Sequence, residues 1–325
     1  MAILSLHDVC VTYRSSGKDV HAINHVSLDV EKNESLGIVG ESGSGKTTLI
    51  MAILRLLNPK STTVTGQILL DGEDILTMPD ERLSEIRWQE MAIVFQKAMN
   101  ALSPVHKVGK FIGDLYRVHV PKATNAEIRS RIEETFELVN LPKRIYDLYP
   151  HELSGGMLQR VSIAMSLILD PKLLIMDEAT TALDVVTQNQ ILEEIKHLEE
   201  ERGITRIMIT HDMSVVASSC KNVAVLYAGS LMETGPVEKV LVEPIHPYTQ
   251  GLVDSFPTFA TDTHEPLKSI GGSLPNLADL PKGCVFAPRC PKACDICFQT
   301  PPEMKEYPGG RRAACHLAGG ASHEE

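Results

Sequence analysis

The sequence predicts an α/β chain: a mostly parallel sheet with helices on its faces, a helical subdomain at about residues 97–153, and a small, loop-rich, cysteine-containing C-terminal domain over 251–325. Three observations predict it. Short apolar runs alternate with helix-patterned stretches through the first 250 residues, which is the rhythm of strands joined by crossover helices. A glycine-rich loop sits between an apolar strand and an apolar helix. Near residue 250 prolines become frequent, periodicity fades and cysteines begin to accumulate.

The elements follow in order. The runs ILSL, VSLDV, ESLGIVG and GQILLDG, bounded by turn residues, read as strands. TLIMAILRLL, after GESGSGKT, reads as a helix that stops before Asn58-Pro59. NAEIRSRIEETFELVNL places Ile128, Ile132, Phe136 and Val139 on one helical face, and this stretch is assigned to the helical subdomain. Alternation then resumes. PKLLIMDE is a strand, and TQNQILEEIKHLEEERG is a helix with Ile191, Ile195 and Leu198 on one face. ITRIMITHD and NVAVLYAG are strands. No internal repeat is visible.

Composition bounds the function. The 325 residues are 43% hydrophobic and 22% charged, enough for a sizeable core. Lys and Arg number 31 against 42 Asp and Glu, for a net charge of −11. An acidic chain is poorly suited to wrapping nucleic acid or lying on an anionic membrane. MAILSLHDVCVTY lacks the basic and apolar regions of a signal peptide, and no apolar run is long enough to span a bilayer. A cytosolic protein is expected, in which persistent disulfides are disfavoured.

GIVGESGSGKTTLI fits G-x-x-x-x-G-K-S/T from Gly40 to Thr47, with a strand before it and a helix after it. Such a loop curls its N–H groups around phosphate oxygens, and the helix N-terminus adds its dipole. Gly40, Ser42, Gly43, Ser44, Gly45, Lys46, Thr47 and Thr48 are the expected ATP contacts. Lys46 would reach the β/γ-phosphates, and the Thr47 hydroxyl would bind Mg²⁺. KLLIMDE puts Asp177 and Glu178 at the carboxyl end of a strand, where ligands of open α/β sheets bind. Asp177 would hold the hydration shell of Mg²⁺, and Glu178 would polarise the attacking water.

HELSGGMLQR, about 20 residues before that strand, has Ser154, Gly155 and Gly156 entering a helix. It resembles the signature loop of the ABC ATPases. The resemblance implies an ABC-type P-loop NTPase in which two chains close head-to-tail over two ATP molecules, the signature loop of each contacting the nucleotide of the other. Further roles are carried by the same resemblance. Tyr13 would stack on adenine, and Gln96 would sense Mg²⁺ and water. Asp184 would lie in the loop that crosses to the partner, and His211 would bond the γ-phosphate. Arg144 and Gln159 would reach the partner's nucleotide. Ala179 departs from the family, where many members have proline, but Asp177 and Glu178 are intact. An active ATPase is expected, with Lys46, Gln96, Glu178 and His211 as its catalytic groups.

One P-loop and no spanning segment imply a separate subunit. EPIHPYTQGLVDSFP, GCVFAPRCPKAC and the late CH resemble the C-terminal extension of dipeptide and oligopeptide importer ATPases, and LSGGM resembles their D-type subunit. The implied partners are a second ATPase subunit, two transmembrane permeases and, indirectly, a substrate-binding protein, with the chain on the cytoplasmic face of the membrane and no nucleic acid. Nickel or another small solute as cargo, and a soluble ABC switch without a permease, are the alternatives.

The cysteine-rich tail has the spacing Cys284-x₅-Cys290-x₃-Cys294-x₂-Cys297, with Cys315 later. Cys294 and Cys297 have knuckle spacing, whereas Cys284 and Cys290 are too wide for the usual zinc site. Zinc, a 4Fe–4S cluster and an empty reduced site all stay open on spacing. The family resemblance favours the cluster, on Cys284, Cys290, Cys297 and Cys315, with Cys294 as a spare thiol or a replacement for Cys315. Cys10 and Cys220 read as small buried hydrophobes.

Overall fold

The structure, a computed structural model, describes residues 2–15, 17–95, 102–179, 184–255 and 270–318. Along them run β1 (Ala2–Ser15), β2 (Lys18–Glu31), β3 (Ser35–Val39), α1 (Lys46–Ile53), β4 (Thr62–Leu70), β5 (Glu73–Asp74), α2 (Asp80–Gln89), β6 (Met91–Val94), α3 (Val108–His119), α4 (Asn125–Leu138) and α5 (Gly155–Leu167). They continue with β7 (Leu173–Asp177), α6 (Val185–Arg202), β8 (Thr205–Ile209), α7 (Met213–Ser219), β9 (Asn222–Tyr227), β10 (Ser230–Pro236), α8 (Val237–Val242), α9 (Pro247–Asp254), α10 (Asp295–Gln299), β11 (Lys305–Tyr307) and β12 (Arg311–Ala313). The chain divides into two compact units. One holds Glu31–Glu34 and Met78–Met208, and the other holds Ala2–Val30, Ser35–Thr77 and Ile209–Glu325.

In the first unit, β6 and β7 pair in parallel, and the strand order is β8-β7-β6. Every residue of β7 (LLIMD) is buried, as expected of a parallel strand covered on both faces. The expected helical subdomain contains α3, α4 and two 3-10 turns at Lys143–Asp147 and Pro150–Glu152. Helix α4 starts at a capping box: Glu127 N–H donates to Thr124 Oγ1 at 3.3 Å, and Thr124 N–H donates to Glu127 Oε2 at 2.7 Å. Its Ile128, Ile132 and Phe136 are buried as the periodicity predicted. Arg131 Nε donates to the Ile168 carbonyl at 2.9 Å and pins α4 to the end of α5. Helix α6 runs from an Asp184 cap to Gly203 in the left-handed conformation, burying Ile191, Ile195 and Leu198.

The second unit has two sheets. One is ordered β2-β1-β4-β5, with β1 antiparallel to β4 and a register shift between His7 and Cys10. The other runs β11-β12-β10-β9-β3, with β3 parallel to β9 and the remaining pairs antiparallel. The C-terminal residues therefore extend a sheet: Glu233 pairs with Ala313, and the Ala314 N–H donates to the Met232 carbonyl at 2.8 Å. Tyr227, Tyr248 and Phe286 form an aromatic cluster with centroids 4.6, 5.2 and 5.3 Å apart. Burying a Tyr or Phe side chain contributes about 1.5–3 kcal/mol, and each aromatic pair adds about 0.5–1.5 kcal/mol. The tail was expected to be loop-rich. It is instead held by sheet extension and aromatic packing.

The metal prediction is also corrected. Among the described residues no group of three or more His, Cys, Asp or Glu gathers as a metal site. The iron–sulfur cluster expected on Cys284, Cys290, Cys297 and Cys315 is overturned, and its zinc alternative falls with it. The question of whether Cys294 or Cys315 is the fourth ligand lapses. Cys284, Cys297 and Cys315 are buried. Burial pushes the Cys284 thiol up to about 11 and raises Cys290 and Cys297 as well. The cluster expectation came from the family resemblance, since spacing had left zinc, a cluster and an empty site open. All seven cysteines are free; Cys10 and Cys220 are half-buried, not buried.

Candidate functional site

Strand β3 is wholly buried and delivers Gly40 just past its carboxyl end. The loop then turns through Gly43 at φ 82° and Gly45 at φ 100°, conformations that glycine adopts without a side-chain penalty. Gly45 is the N-cap of α1; it supplies no side-chain cap, and the first turn holds no acidic residue. A helix start left in this way suits an anionic ligand. A Cβ on Gly45 would meet the Ala22 carbonyl at 2.5 Å, so the loop lies flat against the β2 backbone. The β9–β10 turn braces it from another side, with Gly229 N–H donating to the Ser44 carbonyl at 2.9 Å.

Lys46 is buried, and its ammonium donates to the carbonyls of Gly40 at 2.8 Å and Glu41 at 2.9 Å. The lysine is thus folded back over the loop it belongs to, with its charge compensated by backbone oxygens. Ser42, Gly43 and Thr47 are exposed. The Tyr13 hydroxyl lies 3.3 Å from the Thr48 hydroxyl, so the β1 aromatic stands beside the P-loop helix. His211 is exposed after β8, and it lines a cavity of about 270 Å³ together with Gly40, Glu41, Met213 and Ile270. Asp212, next to it, caps α7 by accepting from Ser214 N–H at 2.8 Å. The second unit therefore brings together Tyr13, the whole P-loop and His211.

The first unit carries the remaining residues. Asp177 is buried at the end of β7, and Glu178 follows in the left-handed conformation at φ 47°. A carboxylate-bearing residue held there is directed by the turn and not by the strand. Ser154 caps α5 by accepting from Met157 N–H at 3.3 Å, and Ser154 and Gly155 are exposed. Asp184 caps α6, accepting from Thr187 N–H at 3.0 Å and from the Thr187 hydroxyl at 2.7 Å. Those bonds hold its carboxyl below the usual carboxylate range. Gln159 is buried within α5, and Arg144 is exposed on a 3-10 turn. Gln96 lies outside the described residues.

Two residues that sequence reasoning left without a role also touch the P-loop. The Tyr248 hydroxyl accepts from the Glu41 N–H at 3.0 Å. Arg289 grips the Glu41 carboxylate through both oxygens, at 2.9 and 3.0 Å. HPYT and PRCP were noted as family markers, but nothing local to them indicates contact with a loop more than 200 residues earlier.

Comparison with known proteins agrees with this geometry. The chain matches the ABC transporter family over residues 23–181 and the C-terminal region of oligopeptide/dipeptide transporters over residues 232–297. It is 41% identical to the oligopeptide transport ATP-binding protein OppD of Escherichia coli (strain K12) over 316 residues, which is 97% of this chain and 93% of that protein. It is 39% identical to the dipeptide transport ATP-binding protein DppD of Caldanaerobacter subterraneus subsp. tengcongensis, covering 97% of each. Among solved structures it is similar to the bacterial ABC transporter cassette MJ0796 in its dimeric form (TM-score 0.65, 29% identity, 72% of this chain and 98% of that one). It is also similar to cbiO1 of Clostridium perfringens, part of an ABC transporter complex (TM-score 0.64, 30% identity, 74% of this chain and 91% of that one).

Proposed function

The chain belongs to the ATP-binding subunits of oligopeptide and dipeptide ABC transporters, and from that premise we propose how its residues divide the work. It binds and hydrolyses ATP to power peptide import. The observation that carries the nucleotide assignment is the P-loop itself: a Cβ-free turn, an uncapped helix start, and Lys46 held over both by backbone carbonyls.

The exposed Gly43 and the amides entering α1 cradle the phosphates. Lys46 exchanges its carbonyl partners for phosphate oxygens, so the charge it brings is already desolvated and aimed. The Thr47 hydroxyl and the Asp177 carboxylate are hard oxygen donors that fit Mg²⁺, which would neutralise the β/γ-phosphate charge when bound. Glu178 orients the attacking water, and His211 and Gln96 address the transferred phosphoryl group. Tyr13 packs on the adenine. Ser154, Gly155, Gly156, Gln159, Arg144 and Asp184 serve the site shared with a second ATPase subunit. The exposure of Ser154 and Gly155 supports that role.

We place the ATPase domain over residues 1–250 and the peptide-importer extension over 251–325. The family requires membrane permeases and an ATPase dimer. The first unit carries an apolar groove of about 200 Å³ lined by Trp88, Phe95, Phe111, Leu115 and Met165, of a kind that takes an amphipathic helix. A permease helix seated there would keep the chain at the cytoplasmic face of the membrane. No described helix is long and apolar enough to cross a membrane itself. The test is Glu178→Gln. ATP should bind and remain unhydrolysed in a closed dimer, and hydrolysis at the wild-type rate would sink the assignment of Glu178.

A further inference from the structure

Arg289 ends the 3-10 turn of the C-terminal extension, and its side chain is only 7% exposed. All five of its N–H donors have acceptors. Nε donates to the Gly271 carbonyl at 2.8 Å, and one terminal nitrogen donates to Ile270 O at 3.2 Å and Glu41 Oε1 at 3.0 Å. The other donates to Glu41 Oε2 at 2.9 Å and to the Tyr227 hydroxyl at 3.2 Å. Burial would lower the pKa of this guanidinium, but the Glu41 carboxylate and the Tyr227 hydroxyl outweigh it and hold the group above its ordinary range. Lysine has no planar fork and could not reproduce this arrangement.

Glu41 is the second residue of the P-loop, and each of its parts is engaged. Its carboxylate is gripped by Arg289, and its N–H donates to Tyr248 of the HPYT segment. Its carbonyl accepts from both the Lys46 ammonium and the Ser44 N–H, the latter at 3.1 Å. Tyr227 and Tyr248, which flank the grip, pack edge-on and tilted against Phe286 of the extension. The C-terminal extension thus reaches the phosphate-binding lysine through one residue.

We propose that Arg289 and Tyr248 are positioning residues that preorganise the P-loop through Glu41, so that the extension sets the affinity of this chain for ATP. Ordering of the segment around Ile270–Arg289 and binding of nucleotide are then coupled, and linkage makes that coupling reciprocal. A weakened grip leaves residue 41 free to move, and Lys46 with it, before phosphate arrives. The cost falls on nucleotide binding. This inference rests on the P-loop reading above.

The experiment is equilibrium titration of the full-length chain with ATP and magnesium, alongside amide hydrogen exchange with and without ATP. Arg289→Met and Glu41→Gln should each weaken ATP binding by about tenfold, the scale of one charge-assisted hydrogen bond. The double variant should be scarcely weaker than either single, and Arg289→Lys should not rescue. In the wild type, ATP should slow exchange around residues 270–290, and in Glu41→Gln it should not. Unchanged ATP affinity in Glu41→Gln, or a fully additive double variant, overturns the proposal and leaves Arg289 as a fastening of the extension alone. If Arg289→Met does not fold, Glu41→Gln, which keeps the shape of a half-buried side chain and removes only its charge, carries the test. Lys46→Ala separates the two readings. If it binds ATP like the wild type, the P-loop assignment fails; if it loses ATP while Glu41→Gln does not, only the present inference fails.

Discussion

Three glycines with nearly the same backbone conformation separate strain from contact at the phosphate loop. Gly72, Gly43 and Gly45 have φ of 89°, 82° and 100°. A Cβ at Gly72 meets nothing within 4 Å, at Gly43 it meets only a Leu274 methyl at 3.5 Å, and at Gly45 it meets the Ala22 carbonyl at 2.5 Å and an Ile23 methyl at 2.9 Å. Alanine therefore carries the left-handed penalty alone at Gly72 and Gly43, about 1–2 kcal/mol. At Gly45 the same penalty is joined by an overpacking cost of about 1–3 kcal/mol, because the obstructing atom is backbone. For a unit of this size about 1 kcal/mol shifts Tm by roughly 2–4 °C. Thermal unfolding should rank Gly45→Ala well below the other two, which should fall together a few degrees below the wild type. ATP titration then gives a different order: Gly72→Ala, in the β4–β5 turn, should bind like the wild type, Gly43→Ala should bind more weakly, and Gly45→Ala should bind weakest. A Gly45→Ala protein as stable as Gly72→Ala would show that the loop does not lie against Ala22, and the argument for a rigid phosphate cradle would fail.

Two further outcomes are expected. His246 is buried, its pKa is lowered by burial to about 4, and its Nδ1 accepts from Tyr248 N–H at 3.0 Å, so it is neutral in the folded chain. Below about pH 6.5 the unfolded chain binds a proton that the folded chain refuses, so stability is complete above that pH and declines as the pH falls toward 4. Between pH 7.5 and 5 the wild type should lose about 2 kcal/mol more than His246→Asn, which keeps a helix cap without a titrating ring. Burial raises Glu233 and works in the opposite direction, but it is common to both proteins and cancels in the difference. Equal pH dependence in the two would remove His246 as the cause. Phe95→Asp, at a side chain 38% exposed beside the groove of the first unit, should abolish co-purification with the membrane subunits while leaving ATP binding intact; retained association would place the permease elsewhere.

The parts of the fold that were legible in the sequence are those made by local pattern. LLIMD is buried at every position, and Ile128, Ile132 and Phe136 form the buried stripe that their spacing predicts. The P-loop was legible for the same reason: strand, turn and helix lie within about fifteen residues, and each residue type has a local physical function. Strands β1 and β2 were under-read as short runs such as ILSL and VSLDV, yet each spans 14 residues. Their length comes from lying side by side in a sheet in which β1 also pairs with β4, and the register shift between His7 and Cys10 breaks the alternation on which a sequence reading depends.

The tail was misread for the complementary reason. Its cysteines are conspicuous in sequence, whereas the residues that organise it are ordinary. A three-residue strand pairing with β10 has no periodicity to detect, and the aromatic cluster draws one residue each from β9, α9 and the turn before Arg289. Glu41 shows the limit most sharply. Within GESGSGKT it looks like filler between glycines, since neither phosphate chemistry nor turn geometry demands a carboxylate there. Its partner Arg289 is 248 residues away, beside a cysteine that drew attention to metal chemistry. A buried guanidinium with five engaged donors is costly to assemble and destabilising to leave half made. That cost argues that the carboxylate at residue 41 and the arginine at 289 are to be understood as one unit, and that the phosphate loop of this chain ends functionally in its C-terminal extension.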